Sequence, residues 1–256
     1  MARFKVGVQL EPQHCTIDQL RQAWRFADEL GADSIWTWDH FFPLSGDPEG
    51  AHFEGWSLLA AMACDTRRAS IGVLVVCNSY RNPDLLADMA RTIDHLSGGR
   101  VILGIGAGWC ERDYDEYGFA FGTAASRVAA LGGGIGRIKD RLARLTPPPV
   151  GRLPLLVGGE GERLTLRFTA EYADMWNGFG PVETFVHKNA VLDGWCDRLG
   201  RDRREVERSV LLSAPEDVDR IDEFARAGAQ HVIVPAKVPF DLSSLQYVLG
   251  IARRVA

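Results

Sequence analysis

The chain has 256 residues, 46% of them hydrophobic and 25% charged, and its 34 acidic and 29 basic side chains leave a net charge of −5. That composition belongs to a folded globular protein and excludes a disordered, collagenous or low-complexity chain. Without a basic tract there is no electrostatic footprint for nucleic acid, and no apolar run approaches the roughly 18–20 residues that span a bilayer. The start, Met1 to Gly7, lacks an apolar core long enough for a signal peptide, so a cytoplasmic protein is expected. Cys15, Cys64, Cys77, Cys110 and Cys196 are odd in number and form no C-x-x-C pair. They read as reduced thiols, and neither a disulfide frame nor a metal is expected.

Strand and helix patterns alternate from end to end. Phe4 to Leu10 alternates as a first strand, and Thr16 with Gln19 forms a capping box for a helix whose Leu20, Trp24, Ala27 and Leu30 share a face and which stops at Gly31. Ser34 to Trp38 is a second strand, and a helix over Trp56 to Thr66 follows. Ile71 to Cys77 is a nearly all-apolar third strand, as a parallel sheet covered on both faces requires. Asn82-Pro83 opens a helix with Leu86, Met89, Ile93 and Leu96 facing inward, and Gly98-Gly99 ends it.

Val101 to Gly106 is the fourth strand. The helix expected from Ala124 to Leu145 contains Gly132, Gly133, Gly134 and Gly136, which predict a kinked or frayed element. Pro147-Pro148-Pro149 is a stiff connector to a fifth strand, Leu155 to Val157. Helices are then expected over Gly161–Glu171, Val182–Leu199, Ser213–Gly228 (capped by Ser213 with Glu216) and Ser243–Val255. Strands are expected over Ala173–Asn177, Ser209–Leu212 and His231–Val234.

Eight strands, each followed by a helix, predict an α/β fold: a single (β/α)8 TIM barrel over residues 1–256. The rival, a doubly wound sheet, usually has fewer such units. A barrel carries its chemistry at the C-terminal ends of its strands, which turns the strand list into a list of candidates. Asp39-His40, ending the second strand, is the sharpest polar pair: an imidazole that exchanges a proton near neutral pH, and a carboxylate that orients a ring or binds a donor. A loop histidine capping a carbonyl is the plain alternative. Gly104-x-Gly106-x-Gly108 is close-approach backbone but lacks the dinucleotide spacing. Gly158-Gly159-Glu160-Gly161 joins a strand to an expected helix start, where free amides hold a phosphate, provided Glu160 points away. Trp38, Trp109 and Trp176 fall at strand ends, where a planar ring can stack or the rim can simply pack. Arg112 reads as a partner for an acidic group or as a solvated loop charge.

These residues carry a resemblance. Tyr80-Arg81-Asn82-Pro83 with Leu86-Ala87, Thr92-Ile93-Asp94-His95-Leu96-Ser97-Gly98-Gly99-Arg100 and Leu103-Gly104-Ile105-Gly106-Ala107-Gly108-Trp109 resemble the bacterial luciferase-like flavin and deazaflavin oxidoreductases. So do Trp36 to His40, Gly158-Gly159 and Tyr172 to Asn177. The resemblance implies an isoalloxazine-type ring in the barrel mouth, and an Asp-His pair after strand two is similar to that of the coenzyme F420 branch. It implies His40 and Asp39 as catalytic, with His40 exchanging the proton that accompanies hydride transfer. It further implies a bulged, cis peptide near Leu74-Val75 behind the ring. Asp39, Leu74, Val75, Gly106, Ala107, Gly108, Trp109, Gly158, Gly159, Glu160 and Gly161 are then the cofactor contacts.

Gln9, Trp38 and Trp176 are the expected substrate contacts. The insertion between strands four and five is shorter than in the family, and basic residues matching a phosphosugar site are not apparent. The expected activity is hydride transfer between coenzyme F420 and a small-molecule substrate. An FMN-dependent monooxygenase and a non-catalytic flavin-binding barrel are the alternatives, and a homodimer is the expected assembly.

Overall fold

In the computed structural model, residues 4–254 are described. Nine strands, β1 (Lys5–Leu10), β2 (Ser34–Thr37), β3 (Ser70–Val73), β4 (Val76–Cys77), β5 (Val101–Gly106), β6 (Leu155–Gly158), β7 (Met175–Phe179), β8 (Glu207–Leu211) and β9 (His231–Ala236), form one sheet. Its order is β3-β2-β1-β9-β8-β7-β6-β5-β4, and β3 also pairs with β5, closing the ring. Every ladder is parallel. Because β3 and β4 are halves of one interrupted strand, the result is the eight-position barrel expected.

The alternation of each strand sorts its side chains. Trp36, Leu74, Ile102, Leu156, Met175 and Ile233 fill the barrel interior. Their neighbours Ile35, Ile71, Val101 and Val157 join the larger core beneath the helices. No helix among the described residues is long and apolar enough to cross a membrane.

The helices are α1 (Ile17–Leu30), α2 (Gly55–Asp65), α3 (Pro83–Ser97), α4 (Glu111–Tyr117), α5 (Ala124–Leu142), α6 (Thr165–Tyr172), α7 (Val182–Leu199), α8 (Ile221–Arg226) and α9 (Ser243–Arg254). The Thr16–Gln19 box and the Gly31 stop of α1, and the Asn82-Pro83 start of α3, form as expected. The expected end of the last helix at Val255, like residues 1–3, lies outside the described residues.

Five expectations change. Leu96 is 51% exposed, because Asp94 and Ser97 take the inward position at the end of α3. Buried there, Asp94 accepts the backbone N–H groups of Val150 and Gly151 at 2.8 Å and ties the proline connector to the barrel. Helix α5 is continuous and ends at Leu142. Two of its four glycines serve close packing, since a Cβ on Gly132 would run into the Phe168 ring and one on Gly134 into Asn78, while Gly133 and Gly136 face open space. Helix α6 starts at Thr165, not Gly161, and the helix before β9 is a 3-10 turn (Pro215–Arg220) leading into α8. Asp217, not Ser213 with Glu216, accepts the free N–H groups of Ser213 and Ala214 there. The short α4 was not anticipated, and it proves to matter most for the site.

Candidate active site

The floor of the mouth is built by the interruption between β3 and β4. The Leu74–Val75 peptide is cis, at the position the resemblance implies. Gln9, on the facing β1, donates its Nε2–H to the Leu74 carbonyl at 2.9 Å. Gln9 is buried and holds the bulge. Leu74 points into the interior core, while Val75 lies against β5 and β6, where the chain has glycine. A Cβ on Gly106 would sit 2.8 Å from Val75 Cγ2, and one on Gly158 2.8 Å from Val75 Cγ1. Val75 therefore fills the space that side chains on Gly106 and Gly158 would take. Substituting Gly158→Val drives a branched side chain into Val75 at the Leu74–Val75 bulge. We expect a destabilisation of about 1–3 kcal/mol, read as a lower melting temperature; an unchanged melting curve would show that this floor is loosely packed.

Beyond β5 the chain turns through Gly106, Ala107 and Gly108. Gly108 has φ +80, and a Cβ there would collide with Tyr114 Oη and Cys77 Sγ, so only glycine suits both the conformation and the space. Arg127 donates to its carbonyl at 3.1 Å. This turn carries Trp109, which is 65% exposed at the rim.

Asp39 and His40 diverge. Asp39 is buried, and its Oδ2 accepts from Cys77 N at 3.0 Å and from Arg81 Nη1 at 2.7 Å; Arg81 also reaches Glu54. Burial pushes the Asp39 carboxyl up to about 6 in spite of the arginine. Its Oδ1 is buried without a partner.

His40 instead faces Asp113 of α4, with Nδ1 2.7 Å from Asp113 Oδ2. Asp113 is fully buried, and it also accepts from Phe41 N at 3.1 Å and Tyr80 Oη at 3.2 Å. Burial works against the charged ring of His40, but the bonds to Asp113 and to Cys110 outweigh it and raise its pKa to about 9. Burial likewise opposes the Asp113 carboxylate, yet His40 and the Phe41 amide hold it below the usual range. His40 is thus cationic at neutral pH. Of the two roles open to Asp39, the structure supports binding a donor; orienting the imidazole belongs to Asp113.

Two indoles flank His40. The Trp109 ring meets it edge-on at 5.3 Å and the Trp38 ring at 5.8 Å. Trp38 donates Nε1–H to His52 Nε2 at 2.8 Å and stacks on that ring. Burial and the His40 charge lower His52 to about 4, so it stays a neutral acceptor. Glu11 is also buried at this end, bonded to Gln13 at 2.8 Å with Lys237 4.0 Å away, and burial raises its carboxyl above the ordinary range.

Other expectations are corrected. Trp176 points outward, fully buried against Phe185 with Nε1–H on the Gly159 carbonyl, so it packs the helix layer and cannot stack on a substrate. The Gly158–Gly161 segment does not open a helix, since α6 begins at Thr165. Glu160 reaches across to the end of β7, its Oε1 accepting from Phe179 N at 3.0 Å. Arg112 is no free loop charge: it pairs with Glu49, donates to the Pro48 carbonyl and lies over the Phe42 ring. Cys110, Asp113, Tyr80 and Arg81 are the members of the mouth that sequence reasoning did not select. The acidic run Glu111 to Glu116 was the one signal pointing toward Asp113.

The sequence model of the luciferase-like monooxygenase family matches residues 1–131, just over half of the chain. The chain belongs to the luciferase-like monooxygenase family. Among curated members, this luciferase-like chain is 37% identical over 122 residues to the F420-dependent glucose-6-phosphate dehydrogenase of Amycolatopsis mediterranei (strain U-32), covering 46% of this chain and 32% of that protein. It is 27% identical over 210 residues to the 4-hydroxyprotoasukamycin monooxygenase of Streptomyces nodosus subsp. asukaensis, covering 70% of this chain and 54% of that one. The chain therefore spans about a third and about half of the lengths of these two relatives. The luciferase-like barrel superposes on an F420-dependent secondary alcohol dehydrogenase in complex with an F420-acetone adduct, with a TM-score of 0.87 over 100% of both chains at 14% identity, a likeness of fold.

Proposed function

We propose that this protein is an oxidoreductase that uses the deazaflavin coenzyme F420 to move a hydride to or from a small organic substrate. The observation that carries the reading is a histidine held as a cation by a buried aspartate at the strand ends, beside an Asp39 carboxylate oxygen that is buried without a partner. F420 dependence in the curated dehydrogenase and in the solved alcohol dehydrogenase supports it. The residues present fit the coenzyme. Val75, packed onto Gly106 and Gly158, keeps the floor apolar, and the unpartnered Oδ1 of Asp39 needs a donor such as a ring N–H. Asp39, Leu74, Val75, Gly106 to Trp109 and the Gly158–Gly161 segment would hold it. The deazaflavin, with carbon in place of the flavin N5, supplies two-electron hydride chemistry.

The chain's own residues do the rest. With Nδ1 committed to Asp113, His40 offers Nε2 as the atom that gives or takes the proton accompanying hydride transfer. Asp113 fixes the ring plane and holds the other ring proton, on Nδ1. Trp38 and Trp109 flank it and restrict water.

The test is a parallel titration with coenzyme F420 and FMN, following quenching of tryptophan fluorescence, with Trp38 and Trp109 as the near reporters. Saturable binding of F420, tighter than that of FMN, is the expected result. Preference for FMN would favour the second reading, an oxygenating enzyme, which the likeness to 4-hydroxyprotoasukamycin monooxygenase supports. Binding of neither would leave a barrel without a coenzyme and overturn both.

A further inference from the structure

The mouth contains a thiol that hydride transfer does not use. Cys110 follows Trp109 in the turn between β5 and α4. Its sulfur, a His40 ring nitrogen and an Asp113 carboxylate oxygen all lie within 4.8 Å of one another. Among the described residues this is the one group of three such donors so close together. The other thiols differ. Cys15, Cys77 and Cys196 are buried, and burial raises all three, Cys15 to about 11. Cys64 is exposed on α2 without a histidine cluster. Cys110 combines partial exposure with a neighbouring imidazole that a buried carboxylate holds in place, a Cys–His pairing of the kind that makes a cysteine nucleophilic.

We propose that Cys110 is a covalent modification site for soft carbon electrophiles of the α,β-unsaturated carbonyl class, with His40 as the proton donor beside it. The sulfur, having released its proton to solvent, adds to the β-carbon, forming a C–S bond as the carbon–carbon π bond breaks. The displaced electron pair passes to the α-carbon and carbonyl oxygen and takes a proton from His40, which solvent then reprotonates. The net change is addition of S–H across one double bond, with no leaving group and no change of redox partner. His40 lies within 4.8 Å of the sulfur and is cationic at neutral pH, so the developing enolate meets a charged donor, while the Asp113 carboxylate, equally near the sulfur, is engaged by His40, Phe41 N and Tyr80 Oη. The site shares His40 with the hydride-transfer reading and rests on it only for its consequence: an adduct on Cys110 would obstruct the coenzyme.

The probe is N-ethylmaleimide at neutral pH without coenzyme, with labelling of Cys110 and Cys64 followed in one sample by peptide mass spectrometry. Cys110 is expected to react at least about tenfold faster than the exposed Cys64. In His40→Asn the ratio is expected to fall to near one. Equal rates in the wild-type protein overturn the proposal whether or not the variant folds. A fast Cys110 that His40→Asn leaves unchanged overturns the part given to His40. Since no coenzyme is present, failure here is distinct from failure of the coenzyme titration.

Discussion

His40→Ala is expected to lower turnover by about 10²- to 10⁴-fold, the range of a lost general acid or base, with coenzyme affinity largely retained. The two effects separate under the proposed function, in which His40 would carry the proton while the floor and Asp39 would hold the ring. The side chain is bonded to Asp113 and lies between two indoles, so its removal leaves the Leu74–Val75 bulge and the glycine floor untouched. Steady-state rates and a fluorescence titration on the same variant are the measurements. Full turnover would remove His40 from the proton step, and loss of coenzyme binding with turnover would make it a binding residue instead.

Asp113→Asn is expected to have two linked effects. The asparagine keeps the shape but loses the charge, so the pKa of His40 falls from about 9 toward its ordinary value, and activity carried by the protonated ring is lost at lower pH than in the wild type. The stability effect follows in sign. The folded-state pKa of His40 lies above its unfolded value of about 6.5, so its contribution is fully present below about pH 6.5 and is lost as pH rises through about 9. Breaking a buried pair typically costs about 3–5 kcal/mol, so the variant should melt well below the wild type in the acid half of that window, with the gap narrowing above it. Thermal unfolding on both sides of the window measures this. A gap of the same size throughout would give Asp113 a purely packing role for Phe41 N and Tyr80 Oη.

Much of this architecture can be read from one dimension. Helix stops such as Gly31 and Gly98 and caps such as Thr16 and Asn82 are local signals, because they depend on backbone hydrogen bonds closed within a few residues, and the apolar strands show through their residue pattern. Where they are strong the elements appear within a residue or two. Where a signal has two meanings, the local reading fails. The glycines of α5 look like breakers in isolation, yet Gly132 and Gly134 are the places where Phe168 and Asn78 come against the helix. Trp176 sits at a strand end like Trp38, but strand parity turns it outward onto Phe185.

The site divides in the same way. The sequence alone determined the class of fold, the strand ends from which chemistry must come, and the local pair Asp39-His40, since each depends on periodicity or adjacency. Only the tertiary structure decided that these neighbours part company, Asp39 toward Arg81 and His40 toward Asp113. Asp113 lies 73 positions away, on a seven-residue helix too short to show a periodic face. Closing the barrel brings that helix over the end of β2, and burial then makes the carboxylate a strong partner for the imidazole. The charge on His40 is therefore a property of the closed barrel, because both the approach and the low-polarity surroundings exist only once the strands have met.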